Sequence, residues 1–186
     1  MAKKPKQIAF FQRKGGEGKS SLALLYYGFL QQSGYSMGFK DLDPQGTLTA
    51  GMKALGWVKD SDPDYLILDY PSKVQTGQAQ LKEINTFIVP TGVSFNSLHA
   101  TRQTIDFLES MRVSPSKVSI LPIRIRHGST HESGLKELNK YKKEGYLVPK
   151  PIPLRMEIEQ LVDRGFVFSP QIREIISMTL MATLSR

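Results

Sequence analysis

The residues equipped for chemistry fall in three short clusters. The first reads Arg13-Lys14-Gly15-Gly16-Glu17-Gly18-Lys19-Ser20-Ser21 and follows an apolar run. Gly15, Gly16 and Gly18 let successive backbone N–H groups converge on one point that side chains would obstruct. A helix opening directly after them adds its free N–H groups and its positive dipole end, which makes an anion site suited to phosphates. Lys19 would lie along β- and γ-phosphates as a point charge, and the Ser20 hydroxyl would ligate Mg²⁺. The second cluster is Lys40-Asp41-Leu42-Asp43-Pro44-Gln45-Gly46. Two acids one residue apart at a strand end point the same way, and Pro44 and Gly46 force a turn after them. Beside a magnesium nucleotide, such acids can orient water or hold the hydration shell of the metal. The third is Leu66-Ile67-Leu68-Asp69, an apolar run closed by a carboxylate, which matches the form of a Walker B strand, where Asp69 would reach Mg²⁺ through water.

These clusters need elements to hold them. Residues 7–11, 36–40, 65–69, 86–90 and 117–125 carry strand patterns, with a poorer one at 146–152. Helix patterns cover 20–33, weakly 47–55, then 94–111, 130–144, 154–164 and 170–184. Alternation of the two types predicts βαβ units and an α/β fold, a parallel, doubly wound sheet flanked by helices. In such sheets ligands sit beyond the carboxyl ends of the strands, where all three clusters fall. No internal repeat, low-complexity tract or linker divides the 186 residues, so one domain is expected over 1–186, with residues 1–6 as a basic N-terminal tail.

The first cluster departs from G-x-x-x-x-G-K-[ST], since Arg13 stands where the first glycine belongs. What stands instead is K-G-G-x-G-K-S, which resembles the deviant Walker A loop of the ParA/MinD group of P-loop ATPases, with Lys14 at the signature position of that group. Asp41-Leu42-Asp43-Pro44-Gln45-Gly46 resembles its D-x-D-P-Q-G switch. The resemblance extends through 85–91, 94–111 and 152–168, and the small size is similar to compact ParF-like plasmid-partition proteins. It implies a P-loop fold binding ATP and Mg²⁺ through Lys14, Gly15, Gly16, Glu17, Gly18, Lys19, Ser20 and Ser21. Asp43 would activate the attacking water, Asp41 would support the Mg²⁺ shell alongside Ser20 and Asp69, and Lys14 and Lys19 would complete the catalytic set. It further implies a homodimer with ATP sandwiched between subunits, each Lys14 crossing to the other's phosphates. That dimer would coat DNA without sequence preference and release it when a ParB-like adaptor stimulates hydrolysis. Tyr70-Pro71-Ser72 is a mild departure after Asp69. Only residues 47–64 separate the switch from the next strand, so the fold is expected to be shortened there.

Charge bears on the same question independently. Lys and Arg number 25 against 17 Asp and Glu, a formal net charge of +8, and residues 112–155 alone hold ten basic and three acidic side chains. That balance favours anionic partners, nucleic acid foremost. Arg124 and Arg126 stand at a strand end, and Lys136, Lys140 and Lys143 fall at i, i+4, i+7, one face of a helix able to follow a phosphate backbone. Cysteine is absent, which excludes disulfides, thiol nucleophiles, Cys-ligated zinc and iron–sulfur clusters. No apolar run spans a membrane and no long apolar leader follows the basic start, so a cytoplasmic protein is expected, nucleoid-associated when ATP-bound, with no membrane partner. Two rivals share the fold: a MinD-like membrane-positioning ATPase, which would carry a basic amphipathic tail, and a metabolic enzyme of dethiobiotin-synthetase type. The last helix has an apolar stripe with few cations and reads as a core element, not a lipid anchor.

Overall fold

The computed structural model describes residues 4–73, 78–123, 129–152 and 168–184. Five parallel strands, β1 (Lys6–Phe10), β2 (Met37–Asp41), β3 (Tyr65–Asp69), β4 (Thr86–Thr91) and β5 (Val118–Pro122), lie in the order β2-β3-β1-β4-β5. The helices are α1 (Lys19–Gln32), α2 (Thr47–Ala54), α3 (Gln78–Lys82), α4 (Phe95–Ser110), α5 (Ser129–Asn139) and α6 (Pro170–Leu184). The expected parallel α/β architecture is thus the observed one.

Alternation along each strand explains the layering. Ile8, Phe10, Ile67 and Ile88 face one way and pack with Leu22, Tyr26, Met52, Ile172 and Ile176 from α1, α2 and α6. Ala9, Leu68, Phe87, Val89 and Ile120 face the other way, against Ile105 and Leu108 of α4 and Leu138 of α5. Strands covered on both faces read as nearly continuous apolar runs, which is how β1, β3, β4 and β5 stand out in the sequence. The neighbours of β1 are β3 and β4, so the chain leaves β1 toward one edge and returns to build the other. The loop after β1 therefore sits at the switch point, where helices diverge and a ligand fits.

Three local expectations are corrected. The strand pattern at 146–152 forms only two isolated parallel bridges, Ser119 with Leu147 and Ile123 with Ile152, because Pro149 and Pro151 offer no N–H to a ladder. The helix expected over 130–144 stops as an α-helix at Asn139 and tightens into a 3₁₀ turn, Lys140–Glu144, before Gly145 at φ 89°. The i, i+4, i+7 stripe of Lys136, Lys140 and Lys143 is therefore broken, since a 3₁₀ turn repeats every three residues. The five-residue α3 carries too short a pattern to be read from sequence. The helix expected at 154–164, and Arg124 and Arg126, lie outside the described residues.

The short 47–64 stretch holds α2 and a loop that covers the β2 edge. The Asp60 N–H donates to the Met37 carbonyl at 2.8 Å, and the Met37 N–H donates to the Asp60 carboxylate at 2.6 Å. Trp57 stacks on Tyr27 of α1 with centroids 5.2 Å apart. A loop thus occupies pairing positions that a bare edge strand would expose.

Candidate functional site

The register of the sheet brings the clusters together. Phe10 pairs with Asp69, and Asp69 pairs with Asp41, so the ends of β1, β3 and β2 lie side by side. The loop from β1 enters α1 through Gly16 at φ 76° and Gly18 at φ 75°, left-handed conformations that cost an L-residue about 1–2 kcal/mol each. Gly18 is the N-cap and has no side chain, so no side-chain cap occupies the first N–H groups of α1. Those donors are free to meet an anion. In front of them opens a cleft of about 730 Å³ lined by Gly15, Gly16, Gly18, Lys19, Ser20 and Ser21 from the loop, Asp43 to Gln45 and Thr47 from the switch, and Pro71 to Lys73 beyond β3.

Three polar side chains crowd the floor of this cleft. The Ser20 hydroxyl donates to Asp69 Oδ2 at 2.5 Å, and Asp69 Oδ1 is buried with no hydrogen-bond partner. Burial raises the Asp69 pKa to about 6 against the opposing pull of Ser20 and Lys19, with Asp41 and Asp43 adding to the rise. Lys19 is 7 % exposed and donates to Ser72 Oγ at 3.3 Å. Burial lowers its pKa, and the carboxylates of Asp69, Asp43 and Glu17 resist that change.

An oxygen pair of this kind, one carboxylate oxygen left without a proton donor, fits a hard divalent cation. Among the described residues no three His, Asp or Glu side chains gather closely enough to hold a metal by themselves. Ser20 and Asp69 would therefore hold Mg²⁺ only together with phosphate oxygens and water, as that ion prefers.

The switch acids divide their work. Asp41 accepts the N–H of Asp43 at 3.2 Å and the N–H of Thr49 at 2.8 Å. It thereby caps α2, whose N-cap, Gly46, has no side chain to do so. Both oxygens that the resemblance assigned to the Mg²⁺ shell are thus engaged with backbone donors. The Asp43 carboxylate accepts the N–H of Gln45 at 3.1 Å and lines the cleft.

Lys14 and Glu17 do not line this cleft with their neighbours. Lys14 Nζ contacts Glu17 Oε1 at 2.5 Å and donates to Ser97 Oγ at 3.0 Å. Ser97 also donates to Glu17 Oε1 at 2.8 Å, and the Gly92 N–H donates to Glu17 Oε2 at 3.0 Å. Burial alone would raise the Glu17 pKa, but Lys14, Ser97 and Gly92 outweigh it, and the pKa falls below the ordinary carboxylate value. Below this cluster, Thr104 Oγ1 donates to Gln12 Oε1 at 2.6 Å and accepts the Arg13 N–H at 3.2 Å, while Gln12 Nε2 reaches Pro90 O and Thr101 Oγ1.

Ser97, Thr101 and Thr104 thus anchor the loop from one face of α4. Sequence reasoning missed these residues, along with Gln12 and Ser72. Small hydroxyl residues at i, i+4, i+7 in an otherwise apolar face were the available signal. Lys136, Lys140 and Lys143 are exposed, and Lys140 is paired with Glu137 at 2.5 Å.

A glycine cradle at a helix N-terminus, a lysine and a Ser–Asp pair beneath it, and an acid facing across define a P-loop nucleotide-binding domain. The chain belongs to the CobQ/CobB/MinD/ParA nucleotide-binding domain family, whose model matches residues 8–166. Among solved structures it is similar to a plasmid partition protein from Borrelia burgdorferi bound to AMPPNP, with 15 % identity over 98 % of this chain and 99 % of that one, TM-score 0.66. It is likewise similar to a McdA variant from Cyanothece in complex with ATP, with 15 % identity over 96 % of each chain, TM-score 0.72. A third is MinD in the MinC:MinD cell division complex of Aquifex aeolicus, with 16 % identity over 97 % of this chain and 96 % of that one, TM-score 0.72. No curated protein sequence matches the chain. At such identities the likeness establishes the fold, and the chemistry rests on the residues above.

Proposed function

We propose that the protein is a ParA-like Mg-ATPase that dimerises around ATP, binds DNA without sequence preference and moves or partitions a DNA cargo in the cytoplasm, on the nucleoid when ATP-bound. The observation carrying this reading is the direction of Lys14, a second loop lysine whose Nζ lies against Ser97 and Glu17 at the start of α4, away from the cleft that Lys19 serves. A lysine turned away from its own cleft is placed to serve the phosphates of a second copy, as an arginine finger does in trans.

Loop N–H groups and the α1 terminus hold the phosphates, and Lys19 lies along them as a buried charge. Bound Mg²⁺, held by Ser20 and Asp69, would supply neutralisation of the charge on the phosphate oxygens. Asp43, facing the cleft, orients the attacking water, and Asp41 fixes the switch by holding the Asp43 N–H and capping α2. A ParB-like adaptor would act by completing or moving this switch.

Two features favour DNA over a membrane as the partner surface. Residues 112–155 carry the basic excess, and Ile172, Ile175, Ile176 and Leu180 of α6 are buried in the core, not presented as a lipid-facing stripe. Among the described residues no helix is long and apolar enough to cross a membrane.

An electrophoretic shift with non-specific duplex, run with ATP, ADP and no nucleotide, tests the reading. A shift confined to ATP is expected, and Lys136→Glu with Lys143→Glu should weaken it equally for all sequences, lowering the salt slope by about 1 for each lysine replaced. Equal binding under all three conditions would refute the nucleotide switch, and an unaltered shift in the double variant would remove the surface.

A further inference from the structure

Glu17 is a buried carboxylate that the hydrolytic reading leaves without a task. It occupies the one position between Gly16 and Gly18 that carries a side chain, is 5 % exposed, and aims that side chain away from the nucleotide cleft. Its three donors differ in kind. The Gly92 N–H lies in the turn between β4 and α4 and the Ser97 hydroxyl in the first turn of α4, so both are fixed by the fold, with Ser97 itself only 4 % exposed. The third, Lys14 Nζ, is carried on a long stem whose side chain is 35 % exposed. Of the four groups, Lys14 is the one able to leave.

We propose that Glu17 is a positioning residue that holds Lys14 within its own protomer, so that Lys14 reaches nucleotide phosphates on a second copy of the chain only by exchanging Glu17 for them. This rests on the dimer reading above and specifies how that dimer is restrained. The exchange is feasible for two physical reasons. A triphosphate offers more negative charge than a single carboxylate, so it competes well for the ammonium. Glu17 also keeps Ser97 and Gly92 when Lys14 departs, so the buried carboxylate is never stripped of donors. The contact therefore sets a threshold for pairing, and does not forbid it. The same turn leads into α4 through Phe95, 83 % exposed and stacked on His99, so the surface beside the held lysine is open for a second chain.

The test has two arms. In nucleotide-free protein, reductive methylation followed by mass spectrometry should label Lys14 slowly, and Glu17→Gln, which keeps an oxygen for Gly92 but loses the charge, should label it at least about fivefold faster. Equal rates would overturn the proposal. In the second arm, the ATP concentration at half-dimerisation, read by sedimentation, should fall about tenfold in Glu17→Gln, within the ordinary range of coupling energies. A threshold that is unchanged or raised would make Glu17 a mere support and overturn the restraint.

A gain in pairing is not what a damaged fold produces. If Glu17→Gln fails to fold, Ser97→Ala replaces it; faster Lys14 labelling with a lower threshold is again expected, and neither change is the refuting result. If parent and variants stay monomeric in saturating ATP, the dimer reading fails, while the labelling arm still decides whether Glu17 holds Lys14.

Discussion

Replacing Asp69 with Asn should make the nucleotide-free protein more stable while removing its magnesium response. In the folded chain the Asp69 carboxyl titrates near 6 instead of 3.8, mainly because it is buried. Each pKa unit is worth 1.36 kcal/mol, so the ionised carboxylate at pH 7 carries a penalty of about 3 kcal/mol relative to the unfolded chain. Between about pH 4 and 6 the folded state binds the proton that the unfolded state has released, so stability falls as pH rises through that window and stays low above it. Asn cannot ionise and keeps an oxygen for the Ser20 hydroxyl, but its amide places a donor where Asp69 Oδ1 has no partner, at a cost of about 1–2 kcal/mol. The expected net gain at pH 7 is about 1–2 kcal/mol, or about 2–8 °C in Tm for a chain of this size. Urea denaturation in EDTA at pH 4.5, 6 and 7 measures it. The gap between variant and parent should widen with pH, and adding ATP with Mg²⁺ should stabilise the parent far more than the variant. A gap that is constant across the series would refute the assignment of Asp69 as a buried, strained carboxylate awaiting a cation.

Asp43→Ala should leave ATP binding within about threefold of the parent and reduce turnover by at least about 10²-fold, the usual contribution of a positioned acid or base; hydrolysis at the parental rate would return the switch to a structural turn. Thr104→Val keeps the shape of the side chain but leaves Gln12 Oε1 and the Arg13 N–H without their partner, so unfolding should become easier by about 1–3 kcal/mol. A Tm matching that of the parent would show that the anchor of the loop to α4 is not energetically coupled.

The parts of this site that were legible in the sequence are those fixed locally. Gly16 and Gly18 are needed at positive φ wherever the loop folds, and Asp69 closes an apolar run whose both-face burial is written in its composition. What could not be read depends on distant partners. Nothing near Asp41 in sequence announces that Thr49 takes one of its oxygens, because that bond needs α2 to start at a side-chain-free Gly46. Glu17 sits in the middle of the phosphate-binding loop, yet its side chain is claimed by Gly92 and Ser97, far along the chain. The helical spacing of Lys136, Lys140 and Lys143 does not hold for a different reason. Helical spacing is an α-helical argument, and the chain tightens to 3₁₀ at Lys140 to reach Gly145. The poorer strand at 146–152 failed because prolines at alternate positions forbid continuous pairing.

Sedimentation of the parent protein with Mg-ATP, with Mg-ADP and without nucleotide bears most directly on the central claim. A species of twice 20.9 kDa that appears with ATP and is absent in Lys14→Ala is the predicted result. A 20.9 kDa particle under every condition, or a dimer indifferent to both nucleotide and Lys14, would contradict it.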